Sequence, residues 1–118
     1  MNIRETIMAF SQSEKIKSGL IWVSNVIESA GRLPEPQKQG AEKVIKAIVG
    51  MVLQEIGLAR KLAGAETWDE IERHIDQGIV MINSGVAMES VVHFTQALSK
   101  VTNIGQRSMT YLKKQGLL

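Results

Sequence analysis

Residues 41–63, AEKVIKAIVGMVLQEIGLARKLA, constrain this chain more than any other stretch. At ~100° per residue the segment is a helix with an unusually wide apolar face. Val44, Ile48, Met51, Leu58 and Leu62 fall on one flank of that face, and Ala41, Ile45, Val52, Ile56, Ala59 and Ala63 on the other. Together they cover about half the circumference, where an ordinary surface helix shows a stripe of ~100°. Such a helix needs at least two neighbours, so it is the central one. Lys43, Lys46, Gln54, Gly57 and Lys61 form its wet side. Glu55 is the misfit, because it lies between the two apolar flanks. A carboxylate there must be paired, or it costs several kcal/mol.

The chain has 118 residues, enough for one domain with its own core, and residues 1–118 are read as a single domain. It contains no cysteine, which excludes thiolate chemistry and Cys-ligated metal centres. Its apolar runs fall far short of the ~20 residues of a membrane span. The start, MNIRETIMAF, has no continuous apolar core of the signal-peptide kind, so the expected location is the cytoplasm. A net charge of +2 is too small for a dedicated nucleic-acid binder, and no aromatic–basic interleaving occurs. The basic residues Lys43, Lys46, Arg60, Lys61, Arg107, Lys113 and Lys114 are read as solvated surface. Met51, Met81, Met88 and Met109 are read as core filler.

In chain order, residues 2–10 suggest a short extra helix using Ile3, Ile7 and Phe10. Ser11-Gln12-Ser13-Glu14 matches a capping box, and the apolar phase shifts there, so a new helix is expected from this point to Ala30. Its core stripe is Ile16, Leu20, Val23, Ile27 and Ala30, closed by Gly31. Pro34 and Pro36 form the turn into the central helix, which ends at Gly64. Thr67-Trp68-Asp69-Glu70 is a second capping box, expected to start a helix with Trp68, Ile71, Ile75, Ile79 and Ile82 inward. Asn83-Ser84-Gly85 breaks that helix. A fresh phase aligns Ala87, Val91, Phe94, Leu98 and Val101, so a fourth helix is expected from near Val86 to about Gln115, with a bend at residues 103–105. Gly50 and Gly57, seven residues apart in the central helix, are read as places of close helix approach. The fold expected is all-α: an antiparallel four-helix bundle with short up-down loops.

Counting outward from the loops puts Glu55, His74 and His93 at one level of such a bundle, with Glu70 and Glu89 a turn away from the histidines. Three readings of that polar layer follow. In the first, Glu55 is a buried partner that fixes helix register. In the second, the Glu and His pairs bind a metal. The i, i+4 spacing of Glu70–His74 and Glu89–His93 departs from the Glu-x-x-His pattern of ferritin-like di-iron bundles. In the third, a histidine carries a phosphoryl group. The segment His74-Ile75-Asp76-Gln77-Gly78 resembles the His-x-Leu-Lys-Gly pattern of histidine phosphotransfer domains, themselves four-helix bundles of this size. The glycine matches, whereas Asp76 and Gln77 replace the leucine and lysine. The resemblance implies a signalling module using His74 or His93.

Trp22 points off the core stripe, with Ile21 and Val26 beside it. These three form a candidate interface, to be covered either by the N-terminal segment or by a second chain. The function expected is therefore a non-enzymatic interaction or scaffold module, self-associating as a homodimer and open to a further protein partner. No catalytic residue, cofactor or assigned metal is part of that expectation.

Overall fold

Asn2 opens the first helix. Its side-chain oxygen accepts from the Glu5 amide at 2.7 Å, and its carbonyl accepts the Thr6 hydroxyl at 2.7 Å. With both its groups used, it is a complete N-terminal cap. The computed structural model describes residues 2–118. In it, α1 runs unbroken over Ile3–Ala30. The short N-terminal helix and the restart at Ser11 are thus corrected: residues 11–14 lie inside α1. Ser11 is exposed, while Ser13 turns inward and its hydroxyl donates to the Phe10 carbonyl at 2.8 Å. The apparent phase shift has a simple cause. The inward stripe continues at Thr6, Gln12 and Ser13, polar residues that a search for apolar periodicity passes over.

The second helix, α2, covers Glu35–Ala63, with Pro34 as its cap residue and Pro36 in its first turn. α3 covers Ala65–Asn83. Gly64 alone joins the two, at φ 98° and ψ 136°, a backbone state open to glycine and strained for other residues. The second capping box is also corrected, since Thr67 is exposed within the first turns of α3. The break at residues 83–85 stands. α3 ends at Asn83, Gly85 takes φ 80°, a 3-10 turn spans Ala87–Glu89, and α4 runs over Ser90–Lys114. α4 stays helical through residues 103–105, where a bend was expected.

The result is a four-helix bundle. α1 packs on α2 and α4, and α3 packs on α2 and α4, which closes a ring. One contiguous core draws on all four helices: Ile16, Leu20 and Val23 from α1, Ile45 and Ile56 from α2, Trp68 and Ile75 from α3, Phe94 and Val101 from α4. The close approaches lie elsewhere than predicted. A Cβ on Gly50 or Gly57 would meet nothing within 4 Å. A Cβ on Gly78 would lie 2.6 Å from the Phe94 ring, and one on Gly105 2.9 Å from the Ser13 hydroxyl. Gly78 therefore seats Phe94 between α3 and α4, and Gly105 lets α4 lie close on α1. No helix among the described residues is long and apolar enough to cross a membrane.

Candidate functional site

The wide apolar face of α2 divides once the helix is packed. Ile45, Val49, Val52, Ile56 and Ala59 are buried. On the other flank Ile48 and Leu62 are half-buried, Ile48 against the core, while Val44 is 56% exposed, Met51 57% and Leu58 43%. Polar contacts show which neighbour each side of the helix meets. Arg60 pairs with Asp69 at 2.7 Å and Glu72 at 3.1 Å, so its side faces α3. Glu55 meets Gln12 and Lys15, so its side faces α1.

Glu55 is half-buried, with 31% of its side chain exposed. Its carboxylate accepts from Gln12 Nε2 at 2.9 Å and from Lys15 Nζ at 3.3 Å. The same Gln12 amide also donates to the Glu55 backbone carbonyl at 3.1 Å. The Gln12 hydrogen bond is the main reason the Glu55 carboxyl titrates below its ordinary range. Partial burial opposes that shift, and the Lys15 hydrogen bond and charge add to it. The misfit residue of the central helix is answered from α1.

These contacts set two rows side by side. On α2, Val44, Ile48, Met51, Glu55, Leu58 and Leu62 repeat at steps of four and three, which keeps them on one side of the helix. On α1, Met8, Gln12, Lys15, Gly19, Trp22 and Val26 do the same. The rows run in opposite directions, pinned by Lys15–Glu55 and by Gly19, where a Cβ would lie 2.9 Å from a Val52 methyl. Seven residues from the ion pair along each helix, Trp22 comes level with Ile48, and eleven residues along, Val26 comes level with Val44. In the other direction Met8 comes level with Leu62. Gln12 and Gly19 are buried in the seam between the rows, and the outer surface across α1 and α2 is a strip of Trp22, Val44, Met51 and Leu58 with the Lys15–Glu55 pair at mid-length. Trp22 is its most prominent member, at 63% exposure.

Of the three residues read as an interface, Trp22 and Val26 belong to this strip. Ile21 is exposed but turns ~100° from Trp22, toward the α4 side of α1. The N-terminal segment does not fold back over Trp22, because it is the continuation of the same helix. The predicted polar layer separates into three places. Glu55 goes with α1. Glu70 pairs with Lys100 at 2.8 Å across the α3–α4 seam. His74, one turn beyond Glu70, and His93, two turns before Lys100, lie on the same seam. Both rings are half-buried, and the Nδ1 atom of each is covered without a hydrogen-bond partner. The Lys100 hydrogen bond and charge hold the Glu70 carboxyl below its usual range. Glu89 is exposed in the 3-10 turn at the far end of the bundle, on the rim of a cleft of about 290 Å³ floored by Ile27, Ala30 and Ile45. Among the described residues no group of three or more His, Cys, Asp and Glu side chains is placed to hold a metal ion.

Apolar periodicity did not mark Gln12 and Lys15 as site residues. The signal that could have found them is the repeat they share with Trp22 and Val26 at steps of three and four. Comparison of the chain with family models, with curated proteins and with solved structures finds no match.

Proposed function

We propose that this protein is a cytoplasmic, non-enzymatic interaction module that associates with itself through the outer face of α1 and α2. The observation that carries the reading is the strip of Trp22, Val44, Met51 and Leu58, each more than two-fifths exposed and aligned on one side of the bundle. A monomer seldom keeps a large contiguous apolar patch in water. Tryptophan and methionine are also enriched where protein surfaces meet, while lysine and the carboxylates are depleted at the centre of such surfaces. Here the charge within the strip is already paired, Lys15 with Glu55.

Sedimentation velocity over a range of protein concentrations tests the reading. The native chain is expected to shift from monomer to dimer as concentration rises. Met51→Glu and Trp22→Ser are expected to weaken association by ~10-fold or more each, as centrally placed interface residues do. Val92→Glu, on the exposed side of α4, is expected to leave it unchanged. A native chain that stays monomeric at every concentration would remove the reading.

A further inference from the structure

The strip has a chemistry that discriminates between ways of covering it. It is apolar at both ends and carries one cation and one anion side by side at mid-length. Lys15 lies on α1 with 62% of its side chain exposed, and Glu55 on α2 with 31% exposed. A partner that buries this strip strips water from both members of the pair, Lys15 most of all, so one that sets an opposite charge against each is favoured over one that does not.

A second copy of the chain can answer them in one of two simple two-fold arrangements with the axis in the plane of contact. When the axis runs across the helices, α1 lies on the partner's α1 and α2 on the partner's α2. At the level of the ion pair, Lys15 then faces the partner's Lys15, and Glu55 faces the partner's Glu55. At any other level Lys15 faces another residue of the α1 row and Glu55 another residue of the α2 row, none of them of opposite charge. When the axis runs along the helices, every level meets its own level, and α1 lies on the partner's α2. Lys15 then faces the partner's Glu55 and Glu55 faces the partner's Lys15, giving four charges of alternating sign. Trp22, level with Ile48 in its own chain, comes against the partner's Ile48. Like charges opposed across an interface cost several kcal/mol, and alternating ones select the register.

We infer that the strip is the face of a homodimer whose two-fold axis runs parallel to the helices, with each Lys15–Glu55 pair closed by the corresponding pair of the other chain. This rests on the self-association reading above and goes further, because it fixes which helix meets which. At the joint, α1 and α2 of each chain form a second four-helix arrangement in which every adjacent pair is antiparallel, as inside each bundle. Glu55 and Lys15 act as register residues, selecting this pairing over the crossed one.

The chain has no cysteine, so single introduced cysteines map the arrangement without background. Lys15→Cys and Glu55→Cys chains are treated with a short bis-maleimide, separately and mixed, and read on denaturing gels. The axis-parallel dimer gives a cross-linked product in the mixture that exceeds the product of either chain alone by ~10-fold, because the linker joins only side chains that face each other. A second pair of variants keeps the test independent of the cysteines. Lys15→Glu and Glu55→Lys each lose dimer affinity by ~10-fold or more alone, and the mixture forms a heterodimer in native mass spectrometry. If the native chain dimerises and Met51→Glu abolishes this, but Lys15→Cys cross-links to itself as readily as to Glu55→Cys, the axis-parallel pairing is overturned and the self-association reading stands. If charge reversal leaves dimerisation of each variant unchanged, the register role is overturned. If the native chain is monomeric throughout, both fall.

Discussion

Glu55 shows how a charge can sit on an apolar face without being buried. Its carboxylate lies at the α1–α2 boundary, where Gln12 donates to it and Lys15 neutralises it. A carboxyl that titrates lower in the folded chain than in the unfolded chain stabilises folding above its unfolded value, and loses that contribution as pH falls through the folded value. For Glu55 the ordinary value is 4.5. Glu55→Gln is therefore expected to cost ~0.5–1 kcal/mol near neutral pH, after allowance for solvent screening. The difference should shrink as pH drops below the carboxylate range. Urea unfolding in a Met51→Glu background keeps the measurement on the single chain, and Lys46→Gln on the wet side of α2 serves as the comparison, with an effect near zero expected. Equal effects for the two substitutions would contradict the structure at this residue. That Glu55 needed a partner was legible in the sequence. Which partner it has was not, because Gln12 looked like filler inside a capping box, and counting from the α2–α3 and α3–α4 loops left α1 out.

At the scale of elements, apolar spacing placed the core stripes of α1 and α3, one flank of α2, Phe94 and Val101 of α4, and the break after Asn83. It failed where polar or small residues do the packing. Thr6, Gln12 and Ser13 continue the inward stripe of α1, so a search for apolar residues saw an end where the helix runs on. Both capping boxes were real matches in sequence that lost to better ends. Asn2 already caps α1, and Gly64 turns the chain so sharply that α3 begins before Thr67. The glycines invert the expectation in the same way, which gives a paired prediction. Gly78→Ala drives a methyl into the Phe94 ring and is expected to destabilise by ~1–3 kcal/mol, the usual effect of overpacking. Gly57→Ala meets open space on a helical backbone and is expected to stabilise by ~0.5–1 kcal/mol. Thermal unfolding of the two variants checks both signs.

At the scale of the molecule, the bundle is a slab of 53 × 22 × 18 Å, with one long side left apolar. The width of the α2 face had suggested a helix wrapped by neighbours within its own chain. Only one flank is wrapped in full, and Val44, Met51 and Leu58 of the other are part of the surface proposed above to meet a second copy. Association coupled to folding makes stability depend on concentration, since only the folded state binds. The melting temperature of the native chain is expected to rise by a few degrees over a ~100-fold increase in protein concentration, while that of Met51→Glu stays flat. Calorimetry at two concentrations decides it. The polar layer was the part of the site least legible beforehand. Counting residues outward from the loops estimates level along the bundle but says nothing about direction around a helix: Glu55 and His74 point to different seams, and Glu89 lies in the 3-10 turn at the far end.

The single-residue joint between α2 and α3 has a consequence for how two chains can entangle. Gly64 holds the hairpin closed only by keeping a positive φ. An alanine there is strained in the hairpin and well suited to a helix, so the strain is released if residues 35–83 straighten into one rod. Each rod then lends its α3–α4 half to the bundle of another chain, a domain swap through a straightened hinge. Gly64→Ala should give, in place of the proposed reversible dimer, an intertwined one that separates only on unfolding. Dilution followed by size-exclusion chromatography would distinguish the two by whether monomer returns.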